Sequence, residues 1–470
     1  MTTRRSHSSG RVTPFPNIAF LERLRPSRMK LGLENITRLL ERLGNPHEAF
    51  PSVLIGGTNG KGSVATYITS ILRAAGLSVG TFYSPHIFRI QERIRLDGDE
   101  IPTPVFDEIL GRLRREHRTI PFTFFEGVTA AAALYFKERG VDIAVFEVGL
   151  GGRLDATRLV DAVVTVVTGI SKDHMVHLGS TCRRILDEKL GIARSGVPLV
   201  ANLGDRRLVA HASRRCASVG SPFIDVNGEV KAAATRIDWR RLALTVETPV
   251  RDYGTLETGL IGAVQVRNVA TAVRVAELLD DFYRHRRDRR VVQSDVVPAH
   301  PAPSRRRGSA ASRQAEECIT TEAIRAGIGR AFIPCRFQVL AGKPRIVLDV
   351  SHNEEGLLAV VDTLLRLSPR GRNVLVFGVM AHKELGRFPH RAVGAFREII
   401  CTALKKGHSM PGASLGEVFR RAAAERGGVT VTAARGMVSA LRVMRKIAGP
   451  EDTVVICGSH LAVEEATGLL

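Results

Sequence analysis

From residue 53 the chain alternates short apolar, β-branched runs with segments whose apolar residues recur at helical spacing. Val53-Leu-Ile55 reads as a buried strand, residues 63–75 as a helix ended by Gly76, and residues 77–82 as a second strand. Residues 125–139 have helical spacing and stop at Gly140; strands follow at 143–146 and 162–168. Strands separated by helices predict βαβ units and a parallel sheet. Residues 224–258 change rhythm, with alternating runs such as Leu242-Ala-Leu-Thr-Val246 that suit an antiparallel patch, and 265–279 reads as helix. The α/β rhythm then restarts, with strand candidates at 345–349, 373–377, 429–431 and 453–456. The expected layout is a basic tail (1–29), a large α/β domain (30–283), an Arg- and Pro-rich linker or insertion (284–315) and a smaller α/β domain (316–470).

Composition adds limits. The 470 residues are 44% hydrophobic and 24% charged, enough to build real cores and too apolar for global disorder. The six cysteines are far apart with no CxxC pair, which excludes a dense disulfide framework or zinc ribbon and fits a reducing cytoplasm. No apolar run approaches the roughly 20 residues that span a bilayer. The N-terminus is basic and Ser-rich without the apolar core of a secretory signal, so the cytoplasm is expected, with a transit peptide as the alternative. The net charge of +21 is nearly all arginine, since only 11 of the 68 basic residues are Lys. Two arginine clusters, at 284–290 and 305–307, flank a Pro-containing stretch poor in large apolar residues. That pattern reads as solvated linker rather than a nucleic-acid arm.

The sharpest local signal is Gly56-Gly-Thr-Asn-Gly-Lys-Gly-Ser63 between a strand and a helix. Glycines let backbone N–H groups turn around an anion, the helix N-terminus adds its dipole, and Lys61 supplies a point charge for nucleotide phosphates. Thr58, Asn59, Gly60, Lys61, Gly62 and Ser63 are therefore expected at ATP. Alone, the loop does not separate a kinase from a switch GTPase or a ligase.

The rest of the chain narrows the choice. This loop is followed in order by Ser84-Pro-His86, Glu92-Arg93-Ile94, Thr123-Phe-Phe-Glu126, the run 147–157 (EVGLGGRLDAT), Asp173-His174, Leu178-Gly179 and the run 188–192 (EKLGI). Pro334-Cys-Arg336, Asp349-Val-Ser-His-Asn353, Val376-Phe-Gly378 with Lys383, and Gly458-Ser459 complete the series. The series, spread over about residues 30–465, resembles the folylpolyglutamate synthase/dihydrofolate synthase family of the Mur ligase superfamily. The resemblance implies a phosphate-loop ATPase domain on a mostly parallel sheet and a smaller Rossmann-like C-terminal domain. It also implies ATP-dependent transfer of L-glutamate to dihydropteroate and to folates through an acyl phosphate, releasing ADP and phosphate. Such chemistry asks the protein to align substrates and neutralise a transferring phosphoryl group.

Carried over residue by residue, the resemblance puts Mg²⁺ ligands at Ser84, Glu147 and His174, with Ser63 in the loop, and a CO₂-carboxylated lysine at Lys189 helping to hold a second metal. Asn268 would contact adenine, Arg336 would clamp phosphate, Asp349 would accept from the ribose hydroxyls, and His352 would face the phosphates. Lys61, Glu147, His174, Lys189 and His352 form the expected catalytic set. The pteroate pocket would comprise Leu31, Gly32, Leu33, Thr123, Phe124, Leu154, Asp155 and Ala156. The expected partners are small molecules, with no membrane or nucleic acid, and the chain is expected to be a monomer. Departures from the family pattern include Arg158, Val264, Cys335, Ser351, Glu354 and His382, none of which removes a metal or phosphate group. A Mur-type ligase for another carboxylate, and a phosphate-loop ATPase using the basic linker on nucleic acid, are the competing readings.

Overall fold

The computed structural model describes residues 15–24, 32–294, 317–369, 371–405, 408–424 and 427–470. Leu31, most of the basic tail and residues 295–315 of the basic stretch lie outside the described residues.

The first sheet has eight strands: β1 (Ser52–Gly56), β2 (Val79–Phe82), β3 (Ile94–Leu96), β4 (Asp99–Glu100), β5 (Ile143–Glu147), β6 (Ala162–Val167), β7 (Leu199–Ala201) and β8 (Phe223–Asp225). They pair in the order β4-β3-β2-β5-β1-β6-β7-β8. All pairings are parallel except β2–β3 and β3–β4. β1 is buried throughout because helices cover both faces, and successive side chains divide between them. Leu54 joins Phe82, Phe106, Phe136 and Phe146 on one side, whereas Val53 and Ile55 join Ile68, Ile71, Val273 and Ile324 on the other.

An antiparallel ribbon follows, β9 (Lys231–Ile237), β10 (Leu242–Glu247) and β11 (Asp252–Thr258), as the alternation over 224–258 predicts. At its β9–β10 turn Trp239 meets the second domain, where the Arg345 guanidinium lies 4.0 Å from the ring centroid. The helix expected over 265–279 runs from Val264 to Ser294. Its last turns carry the cluster that begins at Arg284, because arginine is a good helix former and neither Pro nor Gly intervenes before 295.

The second sheet comprises β12 (Gln338–Leu340), β13 (Arg345–Leu348), β14 (Asn373–Phe377), β15 (Glu398–Thr402), β16 (Thr430–Ala434) and β17 (Thr453–Cys457). Its order is β12-β13-β17-β14-β15-β16, with only β12–β13 antiparallel. The helix Thr321–Arg330, which precedes this sheet in sequence, packs on the first domain's helix Lys61–Ala74. The approach is backbone to backbone: a Cβ added to Gly327 would lie 2.4 Å from the Ile71 Cα. The two sheets thus present their loops to a shared cleft.

Candidate active site

The glycine-rich loop leaves the carboxyl end of β1 and enters the helix Lys61–Ala74, where ligands bind in parallel α/β sheets. Two of its glycines are obligatory. At Gly57 (φ 134°) a Cβ would fall 2.1 Å from Thr168 Oγ1, and at Gly60 (φ 87°) 2.6 Å from Asn268 Oδ1. Thr168 Oγ1 donates to the Asn59 carbonyl at 2.6 Å, and Thr58 N–H donates to the Gly169 carbonyl at 2.8 Å, so the residues that follow β6 brace the loop. Lys61 folds back and donates from Nζ to the Gly57 and Thr58 carbonyls at 3.2 and 3.1 Å.

The loop opens onto a cavity of about 420 Å³ between the domains. It brings together Thr58, Asn59, Gly60, Lys61, Gly62, Ser63, Ser84, Glu147 and Asn268 of the first domain with Arg336, Asp349 and His352 of the second. Arg336 lies over the loop, for a Cβ on Gly62 would be 3.8 Å from its Nη2 and 3.4 Å from Glu147 Oε2. Glu147 ends β5, is 4% exposed and accepts from Ser84 N–H at 3.1 Å. Burial pushes its carboxyl up, opposed by Lys61, the Ser84 N–H, Arg336 and Arg93.

A smaller cavity of about 90 Å³ adjoins it and adds Asp173, His174 and Lys189. Lys189, on the helix Cys182–Leu190, is buried and donates to the Gly57 carbonyl at 2.8 Å. Burial, reinforced by Lys61, lowers its amine to about 7. Desolvation in the cleft, with Lys383, Lys61 and His352 nearby, moves His174 down to about 4 against the pull of Asp173. Solvent reaches 42% of the His174 side chain and tempers that shift. Burial alone would raise Asp173, but the hydrogen-bonded His352, His174 and Lys383 hold it well below the usual carboxylate range.

Asp173 is one point at which the domains join. It accepts from Lys383 Nζ at 2.5 Å and Asn353 Nδ2 at 3.2 Å, and His352 Nε2 lies 3.4 Å away. Asn353 and Asn59 exchange amide hydrogen bonds at 2.9 and 3.2 Å, and Asn59 also donates to Glu355 Oε2 at 2.6 Å. Asp173, Asn353 and Lys383 stand within the sequence motifs, but the sequence gives no role to any of them, and nothing local marks Glu355.

The described residues of the expected pteroate set, Gly32, Leu33, Thr123, Phe124, Leu154, Asp155 and Ala156, line neither cavity. Thr123 caps the helix Phe124–Arg139 by accepting from Glu126 N–H, with Glu126 answering the Thr123 N–H at 2.7 Å. Phe124 lies under the Arg93 guanidinium, 5.5 Å from ring to carbon, and Arg93 also donates to His86 Nδ1 at 2.7 Å and Ser84 Oγ at 3.3 Å. That arginine links this group to the cleft. Asp155 is buried and accepts from Leu150 N–H, Thr157 N–H and Thr157 Oγ1 at 2.6–3.0 Å, which staples its loop. Leu154 and Ala156 flank it in the same loop. Leu33 packs against the core of the first domain just after Gly32, whose φ is 153°.

A divalent ion fits the larger cavity: a buried carboxylate beside the Ser63 and Ser84 hydroxyls is a hard oxygen donor set, and a cation would reverse the burial that raises Glu147. Among the described residues no three His, Cys, Asp or Glu are grouped to hold a metal by themselves. Phosphate oxygens, or a second carboxylate, would have to complete the shell.

Two family descriptions match the chain: the Mur ligase middle domain over residues 55–276 and the Mur ligase, glutamate ligase domain over 335–460. The dihydrofolate synthase/folylpolyglutamate synthase of Escherichia coli K12 is 32% identical over 78% of this chain and 76% of its own length. The folylpolyglutamate synthase of Lacticaseibacillus casei is 30% identical over 77% and 79%. A probable bifunctional folylpolyglutamate synthase/dihydropteroate synthase of Haloferax volcanii is 34% identical over 96% of this chain but only 49% of its own length, so the chain spans about half of that relative. Among solved structures, E. coli FolC in complex with DHPP and ADP superposes with a TM-score of 0.78 at 27% identity, covering 97% of this chain and 98% of that one. The Yersinia pestis bifunctional enzyme complexed with AMPPNP and Mn gives the same TM-score at 26% identity and the same coverage.

Proposed function

The chain belongs to the folylpolyglutamate synthase/dihydrofolate synthase family of Mur ligases, and from that premise we propose that it joins L-glutamate to dihydropteroate and to tetrahydrofolate at the expense of ATP. One observation carries the reading: Arg336 from the second domain stands over Gly62 of the phosphate loop, beside Glu147, so a nucleotide there is gripped from both sides. Neither domain alone encloses the terminal phosphate. Water is excluded only when the halves close.

In this reading the acceptor carboxylate attacks the γ-phosphorus and ADP leaves. The glutamate amine then attacks the acyl carbon, phosphate departs, and the amine gives up its proton. Lys61, the N-terminus of its helix and the Arg336 fork offset charge on the transferring group. Asn268, packed against Gly60, borders the base, and Ser63, Ser84, Glu147 and His174 are the residues that would hold divalent metal. Bound there, the metal supplies charge neutralisation for the phosphoryl oxygens. Lys189, buried and with a lowered amine pKa, meets the requirement for a carbamate, which forms only from neutral amine; carboxylated, it would give the smaller cavity a second acid beside Asp173. Phe124, Thr123 and the loop of Leu154, Asp155 and Ala156 would receive the pteroate beyond Arg93. The six unpaired cysteines support a cytoplasmic setting, and no helix among the described residues is long and apolar enough to cross a membrane.

The test is phosphate release with ATP, Mg²⁺ and L-glutamate, comparing dihydropteroate with tetrahydrofolate. One phosphate per amide is expected, and ¹⁸O in the acceptor carboxylate should reach the released phosphate. Lys61→Ala should suppress label transfer and amide formation together. Release of AMP and pyrophosphate would show adenylation and overturn the reading.

A further inference from the structure

The loop that carries Arg336 runs against backbone preference. Cys335 (φ 58°) and Phe337 (φ 46°), one on each side of the arginine, both occupy the left-handed region that side chains disfavour. Such a pair persists only where neighbouring groups hold it. Here Asp349 Oδ2 accepts from Phe337 N–H at 2.7 Å, and Gln338 Oε1 accepts from Cys335 N–H at 2.9 Å. Val350 N–H donates to the Cys335 carbonyl at 3.1 Å. The other Asp349 oxygen accepts from Ser351 N–H at 2.8 Å. One buried carboxylate therefore ties the end of β13 to the arginine loop. The Cys335 and Phe337 side chains are each buried, in separate clusters of the second domain. With both neighbours anchored, Arg336 is left facing the phosphate loop.

We propose that Asp349 is a positioning residue whose main role is to hold loop 335–337 so that Arg336 meets the nucleotide phosphates, rather than to read the ribose hydroxyls. The inference deepens the nucleotide reading of the cleft and rests on it. A carboxylate offers about four acceptor positions, and two of those on Asp349 are already occupied by backbone N–H groups. Asp349→Asn leaves one acceptor oxygen for two N–H groups and turns an NH2 donor against the other, so the loop relaxes and carries the guanidinium away. Gln338 does the same for Cys335 from the opposite side, yet it does not line the cavity. An effect of Gln338 on nucleotide binding cannot be a direct contact.

The experiment measures affinity of the full-length protein for ATP, 2′-deoxyATP and 3′-deoxyATP by calorimetry with Mg²⁺. The variants are Asp349→Asn, Gln338→Met, Arg336→Ala and the doubles with Arg336→Ala. Asp349→Asn should weaken binding about ten-fold, equally for all three nucleotides, and add less than about two-fold on top of Arg336→Ala. A loss that vanishes with either deoxynucleotide, or that adds in full to Arg336→Ala, would show a direct ribose contact and overturn the proposal. Should Asp349→Asn not fold, Gln338→Met carries the test. A loss shared with Arg336→Ala supports the proposal, and no loss or an additive one overturns it. Nucleotide binding without ligation of any pteroate would count against the ligase reading alone, because these arms need no second substrate.

Discussion

Lys383 of the second domain places its Nζ 2.5 Å from Asp173 of the first, and the two side chains are 9% and 8% exposed. A buried pair of this kind is worth little against an apolar replacement of both partners, but removing one partner strands the other. Lys383→Met should therefore weaken domain closure by about 3 kcal/mol and lower ligation by up to about 100-fold. Adding Asp173→Asn removes the stranded charge, and the double variant should regain about ten-fold of that loss. The check is ligation rate alongside small-angle scattering. A Lys383→Met enzyme with wild-type rate and dimensions would remove the closing role assigned to this pair.

Asn353 serves two structures at once, and a single substitution separates them. Its Oδ1 caps the helix Glu354–Leu367 by accepting from Gly356 N–H at 3.0 Å, while its amide pairs with Asn59 across the cleft. Serine caps a helix about as well as asparagine but cannot span to Asn59. Asn353→Ser should thus keep the melting temperature within about 2 °C and still lower ligation about ten-fold. Asn353→Ala should lose both activity and melting temperature. Equal melting losses in the two variants would mean that the cross-domain pair has no separate effect.

The parts of this site legible in the sequence are those whose chemistry is local. A strand, a glycine-rich turn and a helix start within twelve residues predict a tight loop between β1 and its helix, and Gly57 and Gly60 take the positive φ that such a turn requires. What joins the domains was not legible, since Asn59 and Asn353 are 294 positions apart and each has a plausible local function. The helix through 264–294 extends past the 279 that the sequence predicts, because its arginines resemble linker composition although arginine propagates a helix well. Sequence order places the helix Thr321–Arg330 with the second domain, whereas the bare surface of Gly327 lets it settle on the first.

Lys189 is expected to carry a carbamate in the active enzyme. Its amine is buried at the Gly57 carbonyl and has a pKa lowered to about 7, so a neutral fraction is available to CO₂ near neutral pH. Lys189→Ala should nearly abolish ligation, and acetate or formate should restore part of it by occupying the vacated acid position. Labelling with ¹³C-bicarbonate should give a carbamate resonance in the wild-type protein that is lost in the variant. An active, metal-loaded enzyme under bicarbonate with no such resonance would refute the assignment.

Acid stability should be set partly by His47, which is 8% exposed, leaves Nδ1 without a partner among the described residues and has Glu48 Oε1 3.7 Å from Nε2. Burial, with some help from Arg194, lowers its pKa in the fold, against the opposing pull of Glu48 and Asp161. The unfolded chain then binds more protons than the folded one at pH values between the folded pKa and about 6.5, so stability rises with pH there. Expressed as a loss, the contribution is complete above about 6.5 and disappears as the pH falls through that value toward the folded pKa. His117, edge-on to Phe20 and Phe122, is also lowered by burial and shifts stability in the same direction. Melting temperature should therefore fall between about pH 7.5 and 5.5, and His47→Gln should fall less steeply, by up to about 1.4 kcal/mol per pH unit. Parallel pH profiles for the wild type and His47→Gln would show that His47 is protonated as readily in the folded chain as in the unfolded one.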